Sequence, residues 1–250
     1  MTVEIRYLGW TAFELTTEQG TRILLDPLLE GRSHDGIPPS PVRAEELYHV
    51  NFVLITHGAE DHVGQAFKIV KHSNAILVCD ASTAFCAEKE GGIAPERIYR
   101  MVSGVQFAFD EVTIKALPAK HLSLRKTGDG FISAQPLSYL IGISSKEQIE
   151  QRIFFGGDTS IHSDLKLYGE LYEPQLAMLG VGGVDVHGQS LTELYPNEAA
   201  LAAKWLGVRV AIPMHYRFGE GKEFIEELKK QQPDIKGLLL EPGERYIFAL

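Results

Sequence analysis

The apolar run Asn51-Phe52-Val53-Leu54-Ile55 and the segment behind it, Thr56-His57-Gly58-Ala59-Glu60-Asp61-His62, constrain this chain more than anything else in it. The run is short, mostly apolar and partly β-branched, so it reads as an interior strand. Two imidazoles and a carboxylate then arrive directly at the strand's end. Neutral imidazole and carboxylate are the donors that a divalent ion such as zinc or manganese takes, and loops at strand ends commonly carry metal sites and catalytic groups.

The same arrangement recurs three times. Val112-Thr113-Ile114-Lys115-Ala116-Leu117 leads into Pro118-Ala119-Lys120-His121, and Arg152-Ile153-Phe154-Phe155 leads into Gly156-Gly157-Asp158-Thr159. Val208-Arg209-Val210-Ala211-Ile212 leads into Pro213-Met214-His215-Tyr216. A single His or Asp in such a place is ordinarily a cap, a turn residue or a hydrogen-bonded core group. Four strand ends carrying donors favour a metal centre instead.

This order and spacing resemble the metallo-β-lactamase fold superfamily, whose signature is His-x-His-x-Asp-His followed by a distant His, an Asp and a last His. The resemblance runs nearly end to end. The opening Tyr7-Leu8-Gly9-Trp10-Thr11-Ala12-Phe13, the turn Leu25-Asp26-Pro27, Gly156-Gly157-Asp158-Thr159 and Ile212-Pro213-Met214-His215-Tyr216 point to the branch that contains ascorbate-6-phosphate lactonase and related uncharacterised hydrolases. The resemblance implies that His57, a second histidine and His121 hold one metal. It gives Asp61, His62 and His215 to another, with Asp158 bridging. Fold alone does not fix a reaction, because one fold hosts many chemistries.

Two departures qualify that pattern. Position 59, where the superfamily places its second histidine, is Ala59, so the first metal position is short of one imidazole and the second is complete. Loss of a first ligand weakens binding by at least the roughly 10–100-fold that loss of a supporting group brings. Glu60 is expected to point away on an extended loop. His34 and His187, on other loops, are conceivable replacements, although an exposed loop histidine is the ordinary reading of each. Relatives commonly carry His-Ser where this chain has Trp10-Thr11, and Trp10 reads equally as a pocket wall or as core packing.

Along the rest of the chain, Val3-Glu4-Ile5-Arg6-Tyr7 is strand-like, and Phe13–Thr16 and Arg22–Leu25 flank Glu18-Gln19-Gly20 as a hairpin. Gly31 to Arg43 is a loop that the resemblance sets beside the active site. An amphipathic helix is expected from Val63 to His72, a strand from Ala75 to Cys79, and a helix capped by Ser82 through about Glu88, stopped at Gly91-Gly92. Further strands are Phe107–Phe109, Val112–Leu117, Ser138–Ile143, Ile153–Gly156, Gln175–Leu179 and Val208–Pro213. Helices are expected from an Asn197 cap to Trp205 and from Glu220 to Gln231, with closing strands near Leu238–Leu240 and Tyr246–Phe248. Two groups of strands, each followed by helices, suit an α/β (α+β) four-layer αββα sandwich, with residues 1–250 forming a single metallo-β-lactamase-like hydrolase domain.

A chain of 250 residues buries about three quarters of its unfolded surface, enough for a large core. The 24 Lys+Arg against 33 Asp+Glu, a net charge of −9, argue against a broad nucleic-acid or anionic-membrane footprint. Cys79 and Cys86 lack metal or redox spacing and read as reduced packing thiols of a cytoplasmic protein. The beginning has no positive, apolar secretion pattern, and no segment reaches the ~18 apolar residues that span a bilayer.

A metal held by Asp61, His62, Asp158 and His215 with one open position lowers the pKa of bound water from 15.7 towards about 7, so hydroxide is the expected nucleophile. Asp61 has the chemistry to orient that water or return a proton to the leaving group. Lys120, Arg125 and Lys126 read as solvated loop cations around the Gly128-Asp129-Gly130 turn. Arg217, just behind His215, is the better candidate for a substrate anion. Gly182-Gly183 before Asp185 and His187 let a loop approach substrate closely or simply form a turn. Together these readings give a metal-dependent hydrolase of a small lactone, ester or phosphoester, with one or two divalent ions, zinc first and manganese or iron as alternatives. The substrate-binding candidates are Trp10, His34, His187 and Arg217. The expected partner is a small molecule, with no nucleic acid and no membrane, and a homo-oligomer is compatible. The competing readings are a phosphodiesterase and a degenerate member that binds metal or ligand without turnover.

Overall fold

The computed structural model describes residues 2–128, 130–144, 150–186 and 189–249. Asp129 and His187 therefore lie outside the described residues. Two compact units emerge, the first built from Met1–Val105, Leu122–Leu137 and Glu241–Leu250, the second from Gln106–His121 and Ser138–Leu240. Each unit is organised on a seven-stranded sheet, and six α-helices occur among the described residues.

In the first unit the strands are β1 (Thr2–Gly9), β2 (Ala12–Thr17), β3 (Arg22–Leu25), β4 (Phe52–Leu54), β5 (Ile76–Asp80), β6 (Ile98–Met101) and β18 (Arg245–Ala249), in the order β18-β1-β2-β3-β4-β5-β6. The polar-punctuated end of this sheet pairs antiparallel, as the hairpin Phe13↔Leu25 and Thr16↔Arg22 requires. From β3 onward pairing is parallel, Leu25 opposite Leu54 and Leu54 opposite Val78. Strands covered on both faces read as continuous apolar runs, and β4 is buried at every residue. Helices α1 (Glu60–Val63), α2 (Ala66–Lys71) and α3 (Ala81–Lys89) make the connections. Ile69, Val70, Ala84 and Ala87 pack on Val53, Ile55, Leu77 and Cys79 in one core. A small hairpin, β9 (Arg125–Thr127) with β10 (Gly130–Ile132), completes the unit.

The second unit holds β7 (Gln106–Phe109), β8 (Val112–Pro118), β11 (Leu137–Ser144), β12 (Glu150–Phe155), β13 (Leu176–Gly180), β16 (Val210–Met214) and β17 (Lys236–Gly237), in the order β17-β16-β13-β12-β11-β8-β7. Here β12, β13, β16 and β17 run parallel, while β7/β8 and β11/β12 are antiparallel. Helices α4 (Asp164–Tyr172), α5 (Pro196–Leu206) and α6 (Glu220–Gln231) contribute Leu165, Ala199, Ala203, Phe224 and Leu228 to a core with Phe154, Ala177, Leu179 and Ala211. A separate hairpin pairs β14 (Gly183–Val186) with β15 (Gln189–Thr192).

Several local expectations are corrected. The helix expected over Val63–His72 is broken into α1 and α2. Gly64 at the break has φ +40°, and a Cβ there would stand 2.3 Å from the Pro27 carbonyl oxygen. Glu60 opens a helical turn rather than an extended loop, although it is exposed as expected. The cap of α3 is Asp80, not Ser82. Its carboxylate accepts from the Ser82 and Thr83 amides at 2.8 and 3.1 Å, and Ser82 is one of the residues it caps. Likewise Tyr195 rather than Asn197 precedes α5, because Pro196 takes the first helical position and Glu198 reaches back to the Tyr195 amide at 3.0 Å. Leu238–Leu240 forms no strand. The ladder ends at Gly237 with one further bond from the Leu238 amide to the Ala211 carbonyl.

Cys79 and Cys86 are free and buried, and no helix among the described residues is long and apolar enough to cross a membrane.

Replacing Asp80 by Ala removes the oxygen that accepts from two amides at the start of α3 and should destabilise the protein by about 1–2 kcal/mol. A lowered urea midpoint with unchanged denaturant slope is the expected result.

Candidate metal centre

In the first unit the parallel pairing of β3 and β4 sets Asp26 beside the loop that follows Leu54. Ligand-bearing loops commonly sit at the carboxyl ends of strands in such sheets. Asp26 is fully buried, and its carboxylate accepts from the Thr56 amide at 2.8 Å and the Thr56 hydroxyl at 2.6 Å. It also lies 2.7 Å from His62 Nδ1. A carboxylate only accepts, so this contact favours the proton on His62 Nδ1, the tautomer in which Nε2 can bind metal. The Thr56 hydroxyl, having given its own proton to Asp26, is positioned to accept from His57 Nδ1 at 3.3 Å. The two rings lie 4.1 Å apart between centroids. Burial pushes the Asp26 carboxyl above its ordinary range, and His62 pulls against that shift.

Asp61 stands on the single turn of α1, with Oδ2 3.8 Å from His62 Nε2. The Trp10 indole donates to the same Oδ2 at 3.2 Å, and Arg32 Nη1 lies 3.7 Å from Oδ1. Trp10 is buried, and its indole is aimed at Asp61. His34 is exposed, with Nε2 3.0 Å from Arg32 and 3.3 Å from Asp35. It joins no cluster of three metal donors among the described residues. Arg125 is engaged by Glu90 at 3.1 Å and lies over the Phe67 ring.

The second unit gathers His121, Asp158, Glu193 and His215. Asp158 Oδ2 lies 3.6 Å from His121 Nε2 and 3.4 Å from His215 Nε2. His215 Nδ1 is 3.2 Å from the Gly182 carbonyl oxygen, which can only accept. Glu193 Oε2 lies at the same 3.2 Å from Nδ1, so that nitrogen faces two acceptors while Nε2 faces the Asp158 carboxylate. One donor atom each from His121, Asp158 and Glu193 falls within 4.8 Å of the others. Asp158 and His215 are buried, while the His121 side chain is 26% exposed. Burial and the neighbouring Asp158 charge raise the Glu193 carboxyl above its usual range. Arg217, half-buried behind His215, lays its guanidinium over Phe218.

Lone pairs and carboxylate oxygens converging in a buried place repel one another until a cation lies among them. On that chemistry both donor sets suit a divalent ion.

The backbone is strained where these groups sit. Among the described non-glycine residues, positive φ occurs at Trp10 (+53°), Asp26 (+37°) and His215 (+59°), besides Asp110 and Glu173. Such conformations persist where surrounding structure holds them, and they concentrate at functional sites. Gly182 serves close approach: a Cβ there would stand 2.8 Å from the His215 carbonyl oxygen. Its neighbour Gly183 begins the β14 hairpin.

The six expected metal ligands fall in two groups, His57, Asp61 and His62 in the first unit and His121, Asp158 and His215 in the second. Sequence reasoning did not single out Thr56, Arg32 or Glu193. Asp26 was noticed only for its turn, although it too follows an apolar run, Ile23-Leu24-Leu25. Glu193 gave no signal, since the segment before it, Gln189–Thr192, is not an apolar strand.

A family model described as Beta-lactamase superfamily domain matches residues 21–216. A UPF0173 metal-dependent hydrolase of Methanopyrus kandleri is 33% identical over 250 residues, covering 98% of this chain and 99% of that protein. Among solved structures, the metallo hydrolase Igni18 of Ignicoccus hospitalis matches with a TM-score of 0.79 at 25% identity and full coverage of both chains. An isothiocyanate hydrolase from Delia radicum gut bacteria shares the fold, at TM-score 0.76, 17% identity and 99% coverage of each chain. The chain thus belongs to the β-lactamase superfamily domain family and, within it, to the UPF0173 group. Its mixed α/β architecture is the metallo-β-lactamase-like fold expected from the sequence.

Replacing Asp26 by Asn turns one of its two accepting oxygens into an NH2 donor, so Thr56 and His62 compete for the one that remains. Divalent-metal affinity, measured by calorimetric titration, should fall by roughly 10–100-fold.

Proposed function

We propose that this chain, a metal-dependent hydrolase of the β-lactamase superfamily, acts on a small lactone, ester or phosphoester as one catalytic domain. The observation that carries the reading is the gathering of imidazoles and carboxylates at strand ends in both units, with Asp26 2.7 Å from His62 Nδ1 and the Gly182 carbonyl oxygen 3.2 Å from His215 Nδ1 to orient the rings. We assign His57, Asp61 and His62 of the first unit and His121, Asp158 and His215 of the second as the metal ligands. The UPF0173 metal-dependent hydrolases and the metallo hydrolase Igni18 support the metal-dependent reading by likeness.

When bound, a divalent ion lowers the pKa of a water towards about 7 and polarises the oxygen of the bond to be broken. The chain's own groups do the rest. Asp61, held by Trp10 and Arg32, orients the attacking water, takes its proton and returns it to the leaving group. Arg217 offers a cation to an anionic substrate group. The net charge of −9 favours a small substrate over a nucleic acid. Ala59 leaves the first position one imidazole short and motivates the second reading, a member that binds metal without turnover. Zinc is the ion first expected, with manganese or iron as alternatives.

Elemental analysis of protein purified without added metal or chelator, followed by a lactone, ester and phosphodiester panel, separates these readings. The expected result is at least one equivalent of a divalent ion and hydrolysis that a chelator abolishes and metal restores. Asp61→Asn should lower kcat by about 100-fold or more. Bound metal with no turnover on any of the three classes would favour the degenerate member.

A further inference from the structure

We propose that Glu193 is the positioning residue of His215, a buried carboxylate set against its Nδ1 so that Nε2 is the nitrogen offered to metal. The pairing lies wholly within the second unit, and its purpose rests on the metal-dependent reading above.

The hairpin of β14 and β15 delivers this carboxylate. Gly183 pairs with Thr192 across the hairpin, so the next residue, Glu193, arrives beside Gly182, and its amide donates to the Gly182 carbonyl oxygen at 3.4 Å. Only a glycine permits that approach at position 183. A Cβ there would stand 1.5 Å from the Leu191 carbonyl oxygen and 3.0 Å from Glu193 Oε2. Glu193 Oε2 is thereby brought to 3.2 Å from His215 Nδ1, with the two side chains only 3% and 1% exposed.

Gly182 and Glu193 act on the same nitrogen in different ways. The Gly182 carbonyl oxygen, also at 3.2 Å, meets the directional requirement of a hydrogen bond, whereas Glu193 brings a full negative charge. Little water screens that charge in a buried place, so it outweighs the partial charge of a carbonyl. A carbonyl and a carboxylate both only accept. Together they favour the proton on Nδ1 and leave Nε2, 3.4 Å from Asp158 Oδ2, as the ligating nitrogen. A carboxylate behind a ligating imidazole also fixes the ring and raises its basicity. The ring needs such a hold, because the His215 backbone sits at φ +59°, where a side chain is strained unless its surroundings keep it in place.

The test uses full-length protein, stripped with a chelator and titrated calorimetrically with Zn2+, together with proton–nitrogen NMR spectra of the histidine rings in the zinc-loaded state. Glu193→Gln keeps the volume and one accepting oxygen but not the charge, and Glu193→Ala removes both. Zn2+ affinity should fall by roughly 10–100-fold in Glu193→Ala and by less in Glu193→Gln, with the number of bound equivalents unchanged. The His215 Nδ1 proton should move upfield in both variants, further in Glu193→Ala, because its charged acceptor is gone.

Wild-type affinity and an unmoved His215 signal in Glu193→Gln would reduce Glu193 to packing and overturn the proposal, leaving the hydrolase reading intact. Loss of a bound equivalent in Glu193→Gln with the His215 signal unmoved would make Glu193 a direct ligand and likewise overturn it. Should Glu193→Ala fail to fold, the Glu193→Gln comparison decides. A wild type that takes up no Zn2+ would overturn the metal-dependent reading instead, and the pairing would then be read from the same signal in metal-free protein.

Discussion

The buried carboxylate of Asp26 is the interaction on which the first unit's donors depend. It accepts from the amide and hydroxyl of Thr56 and from the Nδ1 proton of His62. One side chain thereby anchors the loop after β4 to the end of β3 and sets one imidazole's tautomer. Through the hydroxyl of Thr56 it also reaches the ring of His57. Burial raises its carboxyl above the ordinary range, and His62 counters only part of that penalty. The second unit reaches the same end with a backbone carbonyl, that of Gly182, on the proton of His215. Two different acceptors thus sit against the Nδ1 of two imidazoles, one in each unit.

Much of this was legible from residue order. Apolar runs ending in His or Asp located β4, β8, β12 and β16 and the donors behind them, because a strand's interior must be apolar and its end is where polarity can begin. The glycine and Asp80 effects were less visible. Val63–His72 has the period of one helix, but only the approach of Gly64 to the Pro27 carbonyl shows why it must break. Ser82 is a good cap by residue type, yet Asp80 caps because its carboxylate reaches both following amides. Strand β6 was missed because its middle residues, Tyr99 and Arg100, are exposed.

The site shows a sharper limit. Residues named by type and spacing were found at strand ends, whereas those that support them come from unrelated stretches. Trp10 looked like packing or a pocket wall, and only the three-dimensional contact ties its indole to Asp61. Glu193 follows a short polar strand, and nothing in its local pattern distinguishes it from a solvated loop carboxylate. Its burial beside His121 and Asp158 is a property of the assembled second unit, which periodicity does not report.

The break at Gly64 has a mechanical corollary. Immediately after it, the Gln65 amide donates to the Pro27 carbonyl, and the Gln65 side-chain oxygen takes the amides of Leu29 and Glu30. The stretch leaving β3 is thus riveted to the turn that carries Asp61 and His62, and Arg32 rides on the same stretch. This largely buried stretch is in effect part of the ligand cradle, so insertions or deletions between Pro27 and Glu30 would displace Asp61 without touching it.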